Sequence, residues 1–106
     1  IKKQLVNADA TSVLFEIYTT NNIKTLYYLP DQSANHEGLI SDYEILVGDD
    51  LSSMHKVTDG QFANIRNHPI LQEVHFTPTK ARYVMLKATR MVVDGQPLKY
   101  DNIAIE

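Results

Sequence analysis

Ala81-Arg82-Tyr83-Val84-Met85-Leu86-Lys87-Ala88 is the strongest strand in the sequence. Val84 and Leu86 stand two residues apart between the charged Arg82 and Lys87, a period that turns alternate side chains to opposite faces of a strand. The two aliphatic residues are expected to face inward. Upstream, Gln72, Val74 and Phe76 share one face of another strand, and Thr77-Pro78-Thr79-Lys80 reads as the turn between the two. Downstream, Val92-Val93-Asp94-Gly95-Gln96-Pro97 carries an Asp-Gly turn signal, and Asn102-Ile103-Ala104-Ile105 reads as a short last strand.

The same period runs through the first half of the chain. Val13, Phe15 and Ile17 alternate with Leu14, Glu16 and Tyr18 until Thr19-Thr20-Asn21-Asn22, a polar cluster suited to a turn. Ile23 to Leu29 follows as a second strand, which Pro30 ends by removing a backbone donor. Tyr43, Ile45 and Val47 mark a third, closed by Gly48-Asp49-Asp50. Leu51 to Lys56 reads as a connection and Val57 as the start of a further extended piece. About six or seven short strands at this spacing predict an all-β antiparallel sandwich or barrel. Residues 1–106 are expected to form one domain, because a chain this short gains little by dividing its core.

Composition narrows the function. A hydrophobic fraction of 43% and a charged fraction of 22% suit a folded globular chain. Thirteen acidic and ten basic residues give a net charge of −3, and the basic residues are scattered, so no stripe is available for a phosphate backbone and nucleic acid is not an expected partner. The absence of cysteine removes disulfides, thiolate zinc sites and a cysteine nucleophile together. No apolar run reaches the roughly 18–20 residues of a membrane span, and Ile1-Lys2-Lys3-Gln4-Leu5-Val6 is too short and polar for a signal-peptide core. No membrane insertion is expected.

Catalytic signatures are missing. Glu16, Glu37, Glu44 and Glu73 are spread along the chain without the paired arrangement a glycosidase needs, and neither a nucleophile elbow nor a phosphate-cradling glycine loop is present. His36, His55, His68 and His75 lack ligand spacing, so no metal site is assigned to them. Asp42, Asp49 and Asp50 could supply oxygen to calcium, but an aspartate pair after a glycine also reads as a hairpin turn. We expect a binding module without cofactor, not an enzyme.

Two long polar stretches offer binding chemistry. A polar ligand needs an apolar or aromatic face together with planar groups that satisfy its donors and acceptors. Between Pro30 and Gly38, Gln32, Asn35, His36 and Glu37 bring amide, imidazole and carboxylate functions together. Between Gly60 and Pro69, Asn64, Arg66, Asn67 and His68 do the same. Tyr27 and Tyr28 must point to opposite faces, one into the core and one toward the Pro30 loop, where Tyr28 is a candidate stacking platform. Tyr100, just before the last strand, reads either as an aromatic at the rim of the site or as a cap on the end of the sandwich.

Taken in order, these pieces resemble the discoidin-like, or coagulation factor type C, family. Leu14-Phe15-Glu16-Ile17, Tyr28-Leu29-Pro30-Asp31-Gln32, Gly38 through Val47, Gly60-Gln61-Phe62-Ala63-Asn64-Ile65, Val74-His75-Phe76 and Ala81 through Ala88 follow its pattern from Val13 to Ile105. The nearest likeness is to family-32 carbohydrate-binding modules at the C-terminal end of bacterial fucosidases and hexosaminidases. The resemblance implies a jelly-roll β-sandwich of the galactose-binding-domain type. It also implies a glycan as ligand, the catalytic domain of a larger, bacterial glycoside hydrolase as partner, and an extracellular, cell-surface or periplasmic location. Asp31 stands where the family usually has a sugar-contacting arginine, and Thr11-Ser12-Val13 where galactose binders place a histidine. Asn102 replaces a glutamate that supports calcium in the family. The Asp31 exchange favours the alternative of a structural or protein-interaction domain without sugar binding. Because the family's opening strands have no counterpart, the sandwich is expected to be short on one sheet or completed by Ile1 to Ala10.

Overall fold

The computed structural model describes residues 1–30, 38–62, 65 and 70–106. Eight strands lie among them: β1 (Lys2–Ala8), β2 (Ser12–Tyr18), β3 (Ile23–Tyr28), β4 (Ile40–Gly48), β5 (His55–Gln61), β6 (Gln72–Thr79), β7 (Tyr83–Met91) and β8 (Ile103–Ile105). A five-stranded sheet in the order β1-β2-β7-β4-β5 packs against a three-stranded sheet in the order β6-β3-β8, and neighbouring strands within each run antiparallel. This is the all-β sandwich that the period of two requires.

Alternation decides which faces meet. Val13, Phe15 and Ile17 of β2, Tyr43, Ile45 and Val47 of β4, and Val84, Leu86 and Ala88 of β7 form the inner face of the large sheet. Leu26 and Tyr28 of β3, Val74 and Phe76 of β6, and Ile103 and Ile105 of β8 oppose them. Val84 and Leu86 are both fully buried, and β7 sits between β2 and β4 in the middle of its sheet.

Three boundaries differ from the sequence expectation. Thr77-Pro78-Thr79 is not a turn but the end of β6, which runs to Thr79. Proline is tolerated there because β6 is an edge strand and a missing donor on its open side costs no ladder bond. The connection assigned to Leu51–Lys56 is shorter: a 3-10 turn over Leu51–Ser53 leads straight into β5 at His55. Asp50 caps that turn, its carboxylate accepting the Ser52 N–H at 3.0 Å, which holds the acid below its ordinary pKa. Finally, the strands among the described residues number eight and not six or seven. Lys2–Ala8 completes the edge of the large sheet, pairing with β2 from Lys2 opposite Tyr18 to Ala8 opposite Val13.

Candidate functional site

The two loops that carry most of the candidate residues leave the same end of the sandwich. β3 ends there at Tyr28, β4 begins at Ile40, β5 ends at Gln61 and β6 begins at Gln72. The pairings of Tyr28 with Gln72 and of Asp42 with Gln61 fix the four ends together. The segment 92–102 between β7 and β8 closes over this end. The Val92 N–H donates to the Leu39 carbonyl at 3.0 Å, that of Leu98 to Ala10 at 2.9 Å, and that of Leu29 to Asn102 at 3.0 Å. Buried Leu98 anchors the segment to the core.

An aromatic stack ties the loop roots from below. The ring of Phe62, where the second loop starts, lies 4.4 Å from that of Tyr43 and 5.2 Å from that of Tyr28, nearly parallel to both. Such pairs each contribute about 0.5–1.5 kcal/mol beyond the area they bury. The Tyr28 hydroxyl accepts the Ile40 N–H at 3.2 Å and donates to the Gly38 carbonyl at 3.5 Å, so one phenol holds the far root of the first loop. Burial pushes the Tyr43 phenol above its ordinary pKa. Tyr28 is 1% exposed and therefore no stacking platform; the adjacent Tyr27 takes the outer face, half-buried.

Where Gly38 meets the 92–102 segment lies a pocket of about 280 Å³ lined by Gly38, Gly95, Gln96, Pro97 and Lys99. Gln96 Oε1 accepts the Gly38 N–H at 3.2 Å, and the Gly38 carbonyl accepts the Lys99 N–H at 3.3 Å. Gly95, at φ +84°, makes the turn that the Asp-Gly signal predicted. The side-chain carbonyl of Gln96 is committed to Gly38, and its amide donors lie in the same pocket lining as the exposed Lys99. Tyr100 is half-buried and packs against the core at this end of the sandwich.

Of the residues singled out from the sequence, Gln32, Asn35, His36, Glu37, Asn64, Arg66, Asn67 and His68 lie outside the described residues. What the structure does establish is that the flanks of both loops, Pro30 and Gly38 on one side and Phe62 and Ile65 on the other, converge on one end. Gln96 and Lys99 were missed. The signal available was the Asp-Gly turn, but a turn identifies a bend and says nothing about which end of the molecule it covers. Among the described residues no cluster of three or more histidine or acidic side chains could hold a metal ion.

No protein-family model matches the sequence, and no curated protein matches it. Solved structures do match. A glycoside hydrolase 29 family member from an unknown rumen bacterium superposes with a TM-score of 0.86 at 27% identity, over 98% of this chain and 18% of that one. A module described as CpGH89CBM32-5 from Clostridium perfringens, in complex with GalNAc-β-1,3-galactose, superposes at 0.67 with 26% identity, over 89% of this chain and 59% of that one. This chain has the fold of the family-32 carbohydrate-binding modules. The family-32 module of NanJ, also from C. perfringens and in complex with galactose, shares that fold with a TM-score of 0.64 at 19% identity, over 93% of this chain and 64% of that one. The chain thus spans less than two thirds of each of these family-32 structures and under a fifth of the hydrolase.

Proposed function

We propose that this domain is a non-catalytic carbohydrate-binding module, that it takes a saccharide at the loop end of its sandwich, and that it serves a larger, secreted bacterial glycoside hydrolase. The observation that carries the reading is that the described flanks of both polar stretches and the Gln96–Lys99 pocket meet at one end of this fold. The likeness to a module complexed with a disaccharide and to part of a glycoside hydrolase supports it. Weak binding is sufficient for the role, because attachment to a catalytic domain supplies a high effective concentration at the glycan.

A glycan array probed with the wild-type domain and with Gln96→Ala/Lys99→Ala tests the proposal. The loop variants Asn64→Ala and Arg66→Ala complete the set. Binding that these changes weaken about tenfold or more supports a saccharide site at this end. Absence of binding across a broad array supports instead the structural or protein-interaction domain that Asp31 favours.

A further inference from the structure

The outer face of the three-stranded sheet carries chemistry that the fold does not require. In a cross-strand row, Thr25 of the central β3 lies opposite His75 of β6, with Glu106 following β8 on its other side. The backbone N–H groups of Lys24 and Thr25 donate to the Glu106 carbonyl at 2.8 and 2.9 Å, and the Glu106 N–H donates to the Thr25 carbonyl at 2.9 Å, so the position of Glu106 is fixed by three bonds. The next row holds Tyr27 between Glu73 and Ala104, and the small Ala104 leaves one flank of the tyrosine uncrowded. A cleft of about 450 Å³ opens here, lined by Lys24, Thr25, Tyr27, His75, Pro78 and Glu106 among others.

The side chains of this cleft are held in place. The Tyr27 hydroxyl donates to Glu106 Oε2 at 2.6 Å, which fixes the ring, and Thr25 Oγ1 and His75 Nδ1 share a hydrogen bond of 3.1 Å. Thr25 is 2% exposed although it belongs to the outer face; the surrounding side chains build walls over it. One nitrogen of His75, one oxygen of Glu106 and the ammonium of Lys24 remain without a hydrogen-bond partner among the described residues.

We infer that this cleft is a second saccharide site, separate from the loop end, which takes a neutral pyranoside with its apolar face on Tyr27 and Pro78 and its hydroxyls on His75, Lys24 and Glu106. Hydroxyls fit because they donate and accept at once, and the cleft offers both kinds of partner. An ion fits poorly, since the lining carries both signs, Lys24 and Glu106, and Glu73 lies close to Tyr27. Rings fixed before binding lose little freedom on binding, so a shallow site can still be specific.

The test is titration of the 15N-labelled domain with galactose, N-acetylgalactosamine and mannose to about 50 mM, enough to fill a site with a Kd of about 5 mM. Amide shifts are read separately at Lys24–Tyr27, Glu73–His75 and Ala104–Glu106, and at Gly38 and Gln96–Tyr100. Saturable shifts on the sheet face are expected, weakened about fivefold by His75→Ala and by Tyr27→Leu and unchanged in Gln96→Ala/Lys99→Ala. Shifts confined to the loop end would overturn the second site and leave the proposed function standing. Shifts confined to the sheet face would do the reverse. Face shifts that vanish in the loop-end variant would make them secondary to the other site and overturn the inference, and no shifts at either place would overturn both.

Discussion

Gly38 occupies φ +68°, and a Cβ built there would lie 2.7 Å from the Pro97 carbonyl oxygen and 2.9 Å from the Lys99 nitrogen. Both obstacles are backbone, so they cannot swing aside as a side-chain end could. Gly38→Ala is expected to cost about 2–4 kcal/mol in urea unfolding, from left-handed strain and the forced shift of segment 97–99. The same shift should weaken any saccharide bound beside Gln96. Tyr28→Phe makes a finer cut at the same place, because it preserves the stack on Phe62 and removes the acceptor of the Ile40 N–H. A buried donor left without its partner costs about 1–3 kcal/mol, again readable in urea. The sequence made it legible that Tyr27 and Tyr28 take opposite faces, since alternation allows nothing else. It did not say which one enters the core. That depends on the phase of β3 set by the pairing of Leu26 with Val74 and Ile105, a contact between distant parts of the chain.

At the scale of elements, β2, β4 and β7 were readable because alternate apolar residues of each lie deep in the core. β1 was not. Among Lys2 to Ala8 the side chains are exposed apart from a half-buried Lys3, so no hydrophobic alternation exists to find. The strand is defined by backbone pairing to β2 and interrupted by a bulge between Leu5 and Asn7, a feature common at sheet edges. Across the β2–β7 pair, Arg82 Nε donates to Glu16 Oε2 at 2.7 Å, and the Tyr18 hydroxyl lies 2.9 Å from Glu16 Oε1. The Arg82 hydrogen bond, followed by that from Tyr18, holds the Glu16 carboxyl below its ordinary value of 4.5. A carboxylate depressed in the folded state stabilises above its unfolded pKa, and that contribution disappears as pH falls through the folded value. Arg82→Ala should therefore raise the Glu16 pKa in a carboxyl NMR titration. The stability difference between wild type and variant, seen at neutral pH, should shrink below about pH 4. Both groups meet solvent, so the difference at neutral pH is expected to be small and to fall in high salt.

For the whole molecule, the fold was legible in the sequence and the site only in part. Alternation and turn chemistry identify strands one at a time, whereas a site is made by connections that are far apart in sequence and meet only after the sheets pair. The stretches from Pro30 to Gly38 and from Gly60 to Pro69 read as loops in the sequence, but the shared end of their described flanks follows from Phe62 stacking between Tyr43 and Tyr28, and Gln96 joins that end through its bond to Gly38. A module with the proposed sites on a loop end and on a sheet face would engage two chains of a glycan surface at once. Its affinity for such a surface should then exceed its affinity for a free sugar by far more than either contact gives. On immobilised polysaccharide, compared with soluble mono- and disaccharides, retention of the wild-type domain is expected to be greater by about a hundredfold. Gln96→Ala/Lys99→Ala or His75→Ala alone should return it to the level of a single weak contact, because the second event becomes intramolecular only while both sites function. Retention that survives loss of one site undiminished would place all of the surface binding at the other. The measurement therefore distinguishes a bivalent module from a monovalent one.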